Sequence, residues 1–563
     1  MSVIDWSVLI FTLLFIIFYG VWKSRGTKNI EGYLLADRQL PWYQVGFSVM
    51  ATQASAITFL SAPGQAYSDG LRFVQFYFGL PLAMIVICIA FIPVFQRLNV
   101  YTAYEYLEKR FDNKTRSLTA FLFLLQRGLS TGITIYAPAI ILSTILGVGI
   151  AYTTLFMGGA VILYTVYGGT KAVSYTQMLQ MTIIFAGLFF AGYMVVHLLP
   201  KEVGFVDALH IAGKMGKMNA IDTKFDWNNR YNLWSGIIGG FFLQLSYFGT
   251  DQSQVGRYLT GKSIAQSRIG LVMNGLIKIP MQFLILLIGT LVFAFYQFHT
   301  PPVFFNKVEV ESIRNSEYSR QYDSLEHAYA IQHEHKKKQI NNYVLALHQN
   351  DARKQQMAGA ALKSSQTESD TIRAKTLQLV RKNTGNEKTN DTNYVFLSFV
   401  MEYLPVGLVG LLIAIIFLAA MGSTASGLNS LASTTIVDFY KRFHKREESE
   451  AYYLAASRWA TVLWGVFCVV VAFFASRLGD NLIEVVNILG SFFYGTILGI
   501  FLVAFWMKNV KGTAVFYAAL LTEVFVMTAW YFDAMAFLWL NVLGCLMLML
   551  FAWCIQRMIN YNK

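Results

Sequence analysis

Residues 42–66 read WYQVGFSVMATQASAITFLSAPGQA. The stretch is long and apolar enough to enter a bilayer, which an α-helix crosses in about 20 residues. Yet Thr52, Gln53, Ser55, Thr58, Ser61, Pro63 and Gly64 crowd it from the middle onwards. An ordinary lipid-facing helix does not carry so many polar groups and breakers. Non-helical backbone at membrane depth is tolerated only where protein or a water-filled cavity surrounds it. The reading is a broken span, whose unwound backbone offers carbonyl oxygens to a cation and N–H groups to an anion. A kink used only for packing is the competing reading, and the mid-span clustering of polar residues argues against it.

The remaining chain fits a membrane setting. Of its 563 residues, 55% are hydrophobic and 14% charged, against about 25% charged in soluble domains. The apolar runs are continuous, which excludes a β-barrel with its alternation over ~10-residue strands. The fold class expected is an all-α polytopic membrane protein with about 13 spans. They fall near 4–22, 42–66, 72–96, 118–147, 149–167, 173–199, 232–253, 266–297, 403–439, 455–476, 481–507, 512–531 and 534–556.

Lys and Arg set the orientation. With the N-terminus outside, inner loops and the C-terminal tail hold 22, short outer loops 7 and segment 298–390 holds 14; Arg127 and Lys278, inside spans, complete the 45. The excess over short loops puts the N-terminus outside and the C-terminus in the cytoplasm. It also accounts for the net charge of +13 without nucleic acid. Segment 298–390 is the one polar piece, an extracytoplasmic helical insertion between spans one to eight (1–297) and spans nine to thirteen (391–563). Its histidines (His327, His333, His335, His348) read as solvated helix faces, since His333 and His335 point to different sides and no Cys accompanies them. Cys88, Cys468, Cys545 and Cys554 lie in apolar segments and read as small core residues. The N-terminus lacks the basic start and small-residue cleavage site of a signal peptide.

Two more constellations carry chemistry. Met421-Gly422-Ser423-Thr424-Ala425-Ser426-Gly427-Leu428-Asn429-Ser430 is dense in small residues and hydroxyls. Small residues serve close helix packing; hydroxyls four apart on one face equally suit a hard cation. Arg127 and Lys278 are intramembrane cations, costly unless they face a cavity or a partner. They either pair internally, with Asp251 or Glu484 as the acids at hand, or meet an anionic or hydroxyl-rich substrate. The GGT at 168–170 follows an apolar helix and lacks Walker spacing, and no nucleophile, base and orienter come together. ATP-driven transport and enzyme activity are therefore not expected.

The run ASAITFLSAPGQAY at 54–67 resembles the broken helix of the sodium:solute symporter family. So do YTAYEYLEKRF (101–111), GITIYAPAIIL (132–142), YGGTKAVSYTQMLQ (167–180), SQVGRYL (253–259), GLNSLASTTIVDFYKRF (427–443) and GIFLVAFWMKNVKGTAVF (499–516). The likeness covers nearly the whole chain except 298–390. Several stretches look most like the branch of iodide, monocarboxylate and multivitamin carriers, whereas Lys278 looks like the sugar-carrier branch. The resemblance implies a LeuT-type fold with two five-helix inverted repeats, the first in 42–199 and the second starting near 232. It puts the site at mid-membrane, where the first helix of each repeat breaks.

Carried over residue by residue, the family's shared sodium site falls on the carbonyls of Ala51, Ala54 and Ala419 and the hydroxyl of Ser423. A further family hydroxyl is replaced by Gly422, and Thr424, Ser426 or water is the expected substitute. The acid of a second sodium site in some members is replaced by Gln177. The substrate residues fall on Thr58, Tyr77, Gln244, Tyr247, Lys278 and Asn487, with Glu484 as the neighbouring candidate.

The function this implies is secondary-active symport. Sodium would be the coupling ion and a small organic solute the cargo, imported by alternating access at the inner or plasma membrane. A carboxylate-bearing solute is favoured and a sugar comes close behind. The alternatives are a proton-coupled carrier of the same fold and a transporter-like solute sensor. Beyond solute, sodium and lipid bilayer, no obligate protein partner is evident.

Overall fold

The computed structural model describes residues 1–24, 30–443, 448–475 and 481–561. Among them there is no strand, only an isolated bridge between Leu40 and Gly261. The chain opens with α1 (Val3–Ser24). The first broken span comprises α2 (Trp42–Gln53) and α3 (Ala56–Asp69). Then come α4 (80–97, with a π turn at Ile87–Phe91), α5 (Asn113–Leu146) and α6 (Ile150–His197). A second broken span, α7 (Gly240–Thr250) and α8 (Gln252–Tyr258), leads into α9 (Ile264–Phe298). The insertion is built on the hairpin of α10 (Ser319–His348) and α11 (Ala352–Thr384). The chain is completed by α12 (Thr392–Tyr403), α13 (Leu408–Thr434), α14 (Glu450–Ala475), α15 (Leu482–Trp506), α16 (Gly512–Tyr531) and α17 (Phe537–Tyr561).

Ten helices among the described residues are long and apolar enough to cross a bilayer, against thirteen expected spans. The difference has three local causes. Helical backbone continues from α3 through 70–77 into α4, so two spans merge into one of 42 residues. The 48 residues of α6 likewise hold two spans, since a straight helix of that length would reach about 72 Å across a core of about 30 Å. Gly169, at φ 56 and ψ −171, divides it. The Tyr164 hydroxyl lies 2.6 Å from that of Thr176, although twelve positions of straight helix span about 18 Å. The chain therefore folds back at Gly169, where a Cβ would also strike the Tyr33 ring at 2.6 Å. Third, α7 stops at Asp251, so span seven counts as two short pieces; it continues to Tyr258, beyond the boundary expected at 253.

Large apolar side chains such as Phe18, Phe121, Phe156, Phe190, Trp459, Leu463 and Val524 are exposed on the outside of these helices. An apolar exterior of this kind suits lipid rather than water. Inside, α9 runs along both halves of the first broken span. A Cβ at Gly270 would meet the Trp42 carbonyl at 2.8 Å, and one at Gly289 the Pro63 carbonyl at 2.2 Å. Glycine at both places lets the backbones touch.

The insertion is docked. Val303, Phe304, Ile313, Tyr322, Tyr329, Leu379 and Val380 form a small apolar cluster of its own. Phe305, Ile340, Tyr343, Val344 and Leu362 belong instead to the main core. Arg373 grips Asp391 with bonds of 2.7 and 2.9 Å, and its guanidinium lies over the rings of Tyr67 on α3 and Phe305.

Candidate functional site

The first break lies at Ala54 (φ −79, ψ 78) and Ser55 (φ −82, ψ 173). Its backbone bonds run Ala54 N to Met50 O, Ser55 N to Gln53 O and Thr58 N to Ser55 O. The carbonyls of Ala51 and Ala54 receive no backbone N–H among the described residues. Buried main-chain groups are rarely left this way, and outward-turned carbonyls at a helix C-terminus carry partial negative charge. Thr52 Oγ donates to Ser426 Oγ at 3.0 Å, which ties the last turn of α2 to α13. On α13, Ser423 Oγ donates to the carbonyls of Ala419 (2.8 Å) and Ala420 (3.2 Å). The four expected cation residues thus lie on two elements that touch, three of them buried and Ser423 half-buried.

Beside this junction is a cavity of about 100 Å³. Of the expected substrate residues, Thr58, Tyr77, Tyr247 and Asn487 line it, and Ser423 opens onto it. Gln244 does not; it is buried and accepts from Gln53 Nε2 at 3.4 Å. Lys278 does not line it either. Its ammonium is fully buried, has no hydrogen-bond partner among the described residues, and sits 5.7 Å from the centre of the Tyr77 ring. Glu484 lies away from the cavity, held by Arg230 (2.6 Å) and the Tyr231 hydroxyl (3.0 Å). Sequence reasoning missed Ser130, Thr131, Thr134 and Tyr494, which also line the cavity. The first three were visible as hydroxyls beside Gly128 and Gly132, in the span that carries Arg127.

Arg127 reaches the cavity wall already paired. Its guanidinium bonds to Asp251 at the second break and to the Tyr494 hydroxyl (3.2 Å), and Tyr494 donates to the same carboxylate at 2.9 Å. Asp251 also caps α8, accepting from Ser253 N (2.8 Å) and Ser253 Oγ (2.7 Å). Of the two readings open for Arg127, internal pairing is the one found, so it brings no net charge to a ligand. Gln177 is saturated as well. Its oxygen accepts from Ser48 (2.6 Å), and its nitrogen lies 2.9 Å from Ser426 Oγ, 3.2 Å from Gly422 O and 3.3 Å from Thr52 Oγ.

Comparison with known proteins places this geometry. The model of the sodium:solute symporter family matches residues 33–317 and 373–522, and the gap falls within the α10–α11 hairpin. The human sodium/iodide cotransporter is 32% identical over 276 residues, 48% of this chain and 42% of that one. This chain thus spans less than half of that relative's length. The sodium/glucose cotransporter of Vibrio parahaemolyticus is 26% identical over 531 residues, 92% of this chain and 83% of that one. A solved Na+-coupled sialic acid symporter, in a substrate-bound outward-open state, superposes with a TM-score of 0.76 at 20% identity. The superposition covers 99% of this chain and 98% of that one, which establishes the LeuT-type fold with its two inverted five-helix repeats. The chain belongs to the sodium:solute symporter family.

Proposed function

We propose that this chain is a sodium-coupled symporter that imports a small organic solute by alternating access. The observation that carries the reading is the pair of free carbonyls at Ala51 and Ala54, held against the hydroxyl-bearing turn of α13 at the edge of a small polar cavity. Those oxygens, with Ala419 O and Ser423 Oγ, are the residues that would hold sodium. A bound cation supplies charge that ties the end of α2 to α13, favouring whichever arrangement of the repeats keeps them together. The start of α3 contributes the opposite polarity, because Ser55 makes no side-chain cap and leaves N–H groups for a ligand. Gradient-driven import follows if the two broken spans rock against the rest with the site between them.

A carboxylate-bearing solute is favoured by Lys278, a buried ammonium behind the cavity-lining Tyr77 ring with no hydrogen-bond partner among the described residues. The neutralised Arg127 does not add to that argument. A neutral sugar is the second reading, favoured by the hydroxyl and amide lining from Gln53, Thr58, Ser130, Thr131 and Asn487. The Lys and Arg distribution supports an N-terminus outside, a C-terminus in the cytoplasm and an external insertion. A thermal-shift screen of sugars, sugar acids, monocarboxylates and vitamins, each with sodium and with choline, tests the reading. Sodium-dependent stabilisation by a solute is expected; equal shifts in both salts would overturn sodium coupling and turn attention to protons.

A further inference from the structure

A second cavity, of about 530 Å³, opens where the last turns of α5 meet the base of the insertion. It shares no lining residue with the central cavity. Its other walls are the short helix Lys307–Arg314, the loop that follows α11 and the start of α12. Glu309 and Glu311 line it, and no Lys, Arg or His does so among the described residues. Yet segment 298–390, which supplies much of the wall, carries 14 Lys and Arg. The basic residues of the short helix are turned to other acids, Lys307 to Glu402 (2.7 Å) and Arg314 to Glu326 (2.7 Å). Glu309 is half-buried; burial holds its carboxyl above the ordinary range, and no described cation opposes the rise. Asn393, on α12, points to a ligand independently of the acids. It lines the cavity at 7% exposure, and its Oδ1 is buried with no hydrogen-bond partner among the described residues. Such an oxygen is expected to meet a donor from a ligand or an ordered water. Tyr136 and Tyr394 complete the wall, both within electrostatic reach of the Glu309 carboxylate.

We propose that this cavity binds an organic primary ammonium ion. Glu309 and Glu311 supply the opposite charge. A primary ammonium has N–H donors and no acceptor, which matches a site offering carboxylates and the free Oδ1 of Asn393. The rings of Tyr136 and Tyr394 present faces that attract a cation. The volume falls within the range of about 300–1,000 Å³ usual for small-molecule pockets. It exceeds what one hard metal ion needs, held by about six to eight oxygens at roughly 2.3–2.6 Å.

The test is a titration of the purified full-length protein without solute, at constant sodium and ionic strength, read as melting temperature. Putrescine and spermidine are the probes, and 1,4-butanediol, the uncharged counterpart of putrescine, is the control. Both amines are expected to raise the melting temperature saturably, and the diol is not. Glu309→Gln is expected to raise the half-saturating amine concentration about tenfold, as loss of a contact to a charged group does. Asn393→Ala is expected to raise it less, whereas Glu368→Gln, exposed on α11 and away from the cavity, leaves it unchanged. Should Glu309→Gln fail to fold, Glu311→Gln, exposed on the short helix, takes its place with the same expected direction. The proposal is overturned by no saturable response to either amine, by an equal response to the diol, or by amine binding that ignores the carboxylate substitutions. An equal effect of Glu368→Gln overturns it too, as does calcium chloride that stabilises the protein and displaces the amine, which would make the cavity a metal site.

Discussion

Asp251 closes the second break, and its carboxylate meets a guanidinium 124 positions earlier in the chain. Removing one partner of a buried pair leaves the other uncompensated, at a cost of about 3–5 kcal/mol. Asp251→Asn is therefore expected to lower the melting temperature sharply, and Arg127→Met in the same chain to recover most of the loss. If Asp251→Asn melts like the native protein, the pair is not what orders this break. The sequence made both residues visible as intramembrane or near-membrane charges, but helical spacing says nothing about contacts between helices so far apart in the chain. That is also why it left Asn487 and Glu484 undivided. They lie three positions apart on one helix, and only the fold around α15 sends one to the cavity and the other to Arg230. The broken span at 42–66 was legible because its polar residues and breakers cluster between Thr52 and Gly64, a purely local property.

Among the elements, the α10–α11 hairpin is the least resolved by sequence. Its helices and polarity could be read, but not that Ile340, Tyr343 and Val344 on one face of α10 pack into the main core. Its buried His333 makes the hairpin sensitive to acid. Burial, with Lys336, Lys337 and His299 nearby, lowers the ring's pKa to about 4, from an ordinary value near 6.5. The folded hairpin thus keeps the ring neutral where the unfolded chain protonates it, so stability falls as pH drops from about 6.5 to about 4. His333→Leu is expected to remove that part of the loss, seen as slower hydrogen exchange across 319–348 at pH 4.5 than in the native chain, and equal exchange would contradict it. The side on which the hairpin lies is tested by thiol labelling at Ser364, which is exposed, whereas neighbouring Ser365 is 3% exposed and accepts from Gln332. In a chain with Cys554→Ser, an impermeant reagent is expected to label Ser364→Cys in intact cells. Labelling only after permeabilisation would invert the topology from α9 onwards.

For the whole molecule, the number of coupling ions follows from how the interior is filled. The oxygens of Thr52, Gly422 and Ser426 that surround position 177 are already taken by the amide nitrogen of Gln177. Arg257, 3% exposed, adds a fixed positive charge nearby through Ser174, which contacts Ser48. A neutral amide offers no charge to offset a second ion, so one sodium per solute is expected. The family likeness made the missing acid at 177 readable, whereas the saturation of its replacement depends on three helices meeting.

The most direct measurement uses the native chain in proteoliposomes, with the solute that the thermal-shift screen identifies. The membrane potential is clamped at zero under a tenfold inward sodium gradient, and the solute ratio at which net flux stops is recorded. One-to-one sodium symport predicts a balance at about a tenfold solute excess inside. A balance near a hundredfold would mean two ions and contradict the reading of Gln177, and a balance that ignores the sodium gradient would contradict sodium coupling altogether.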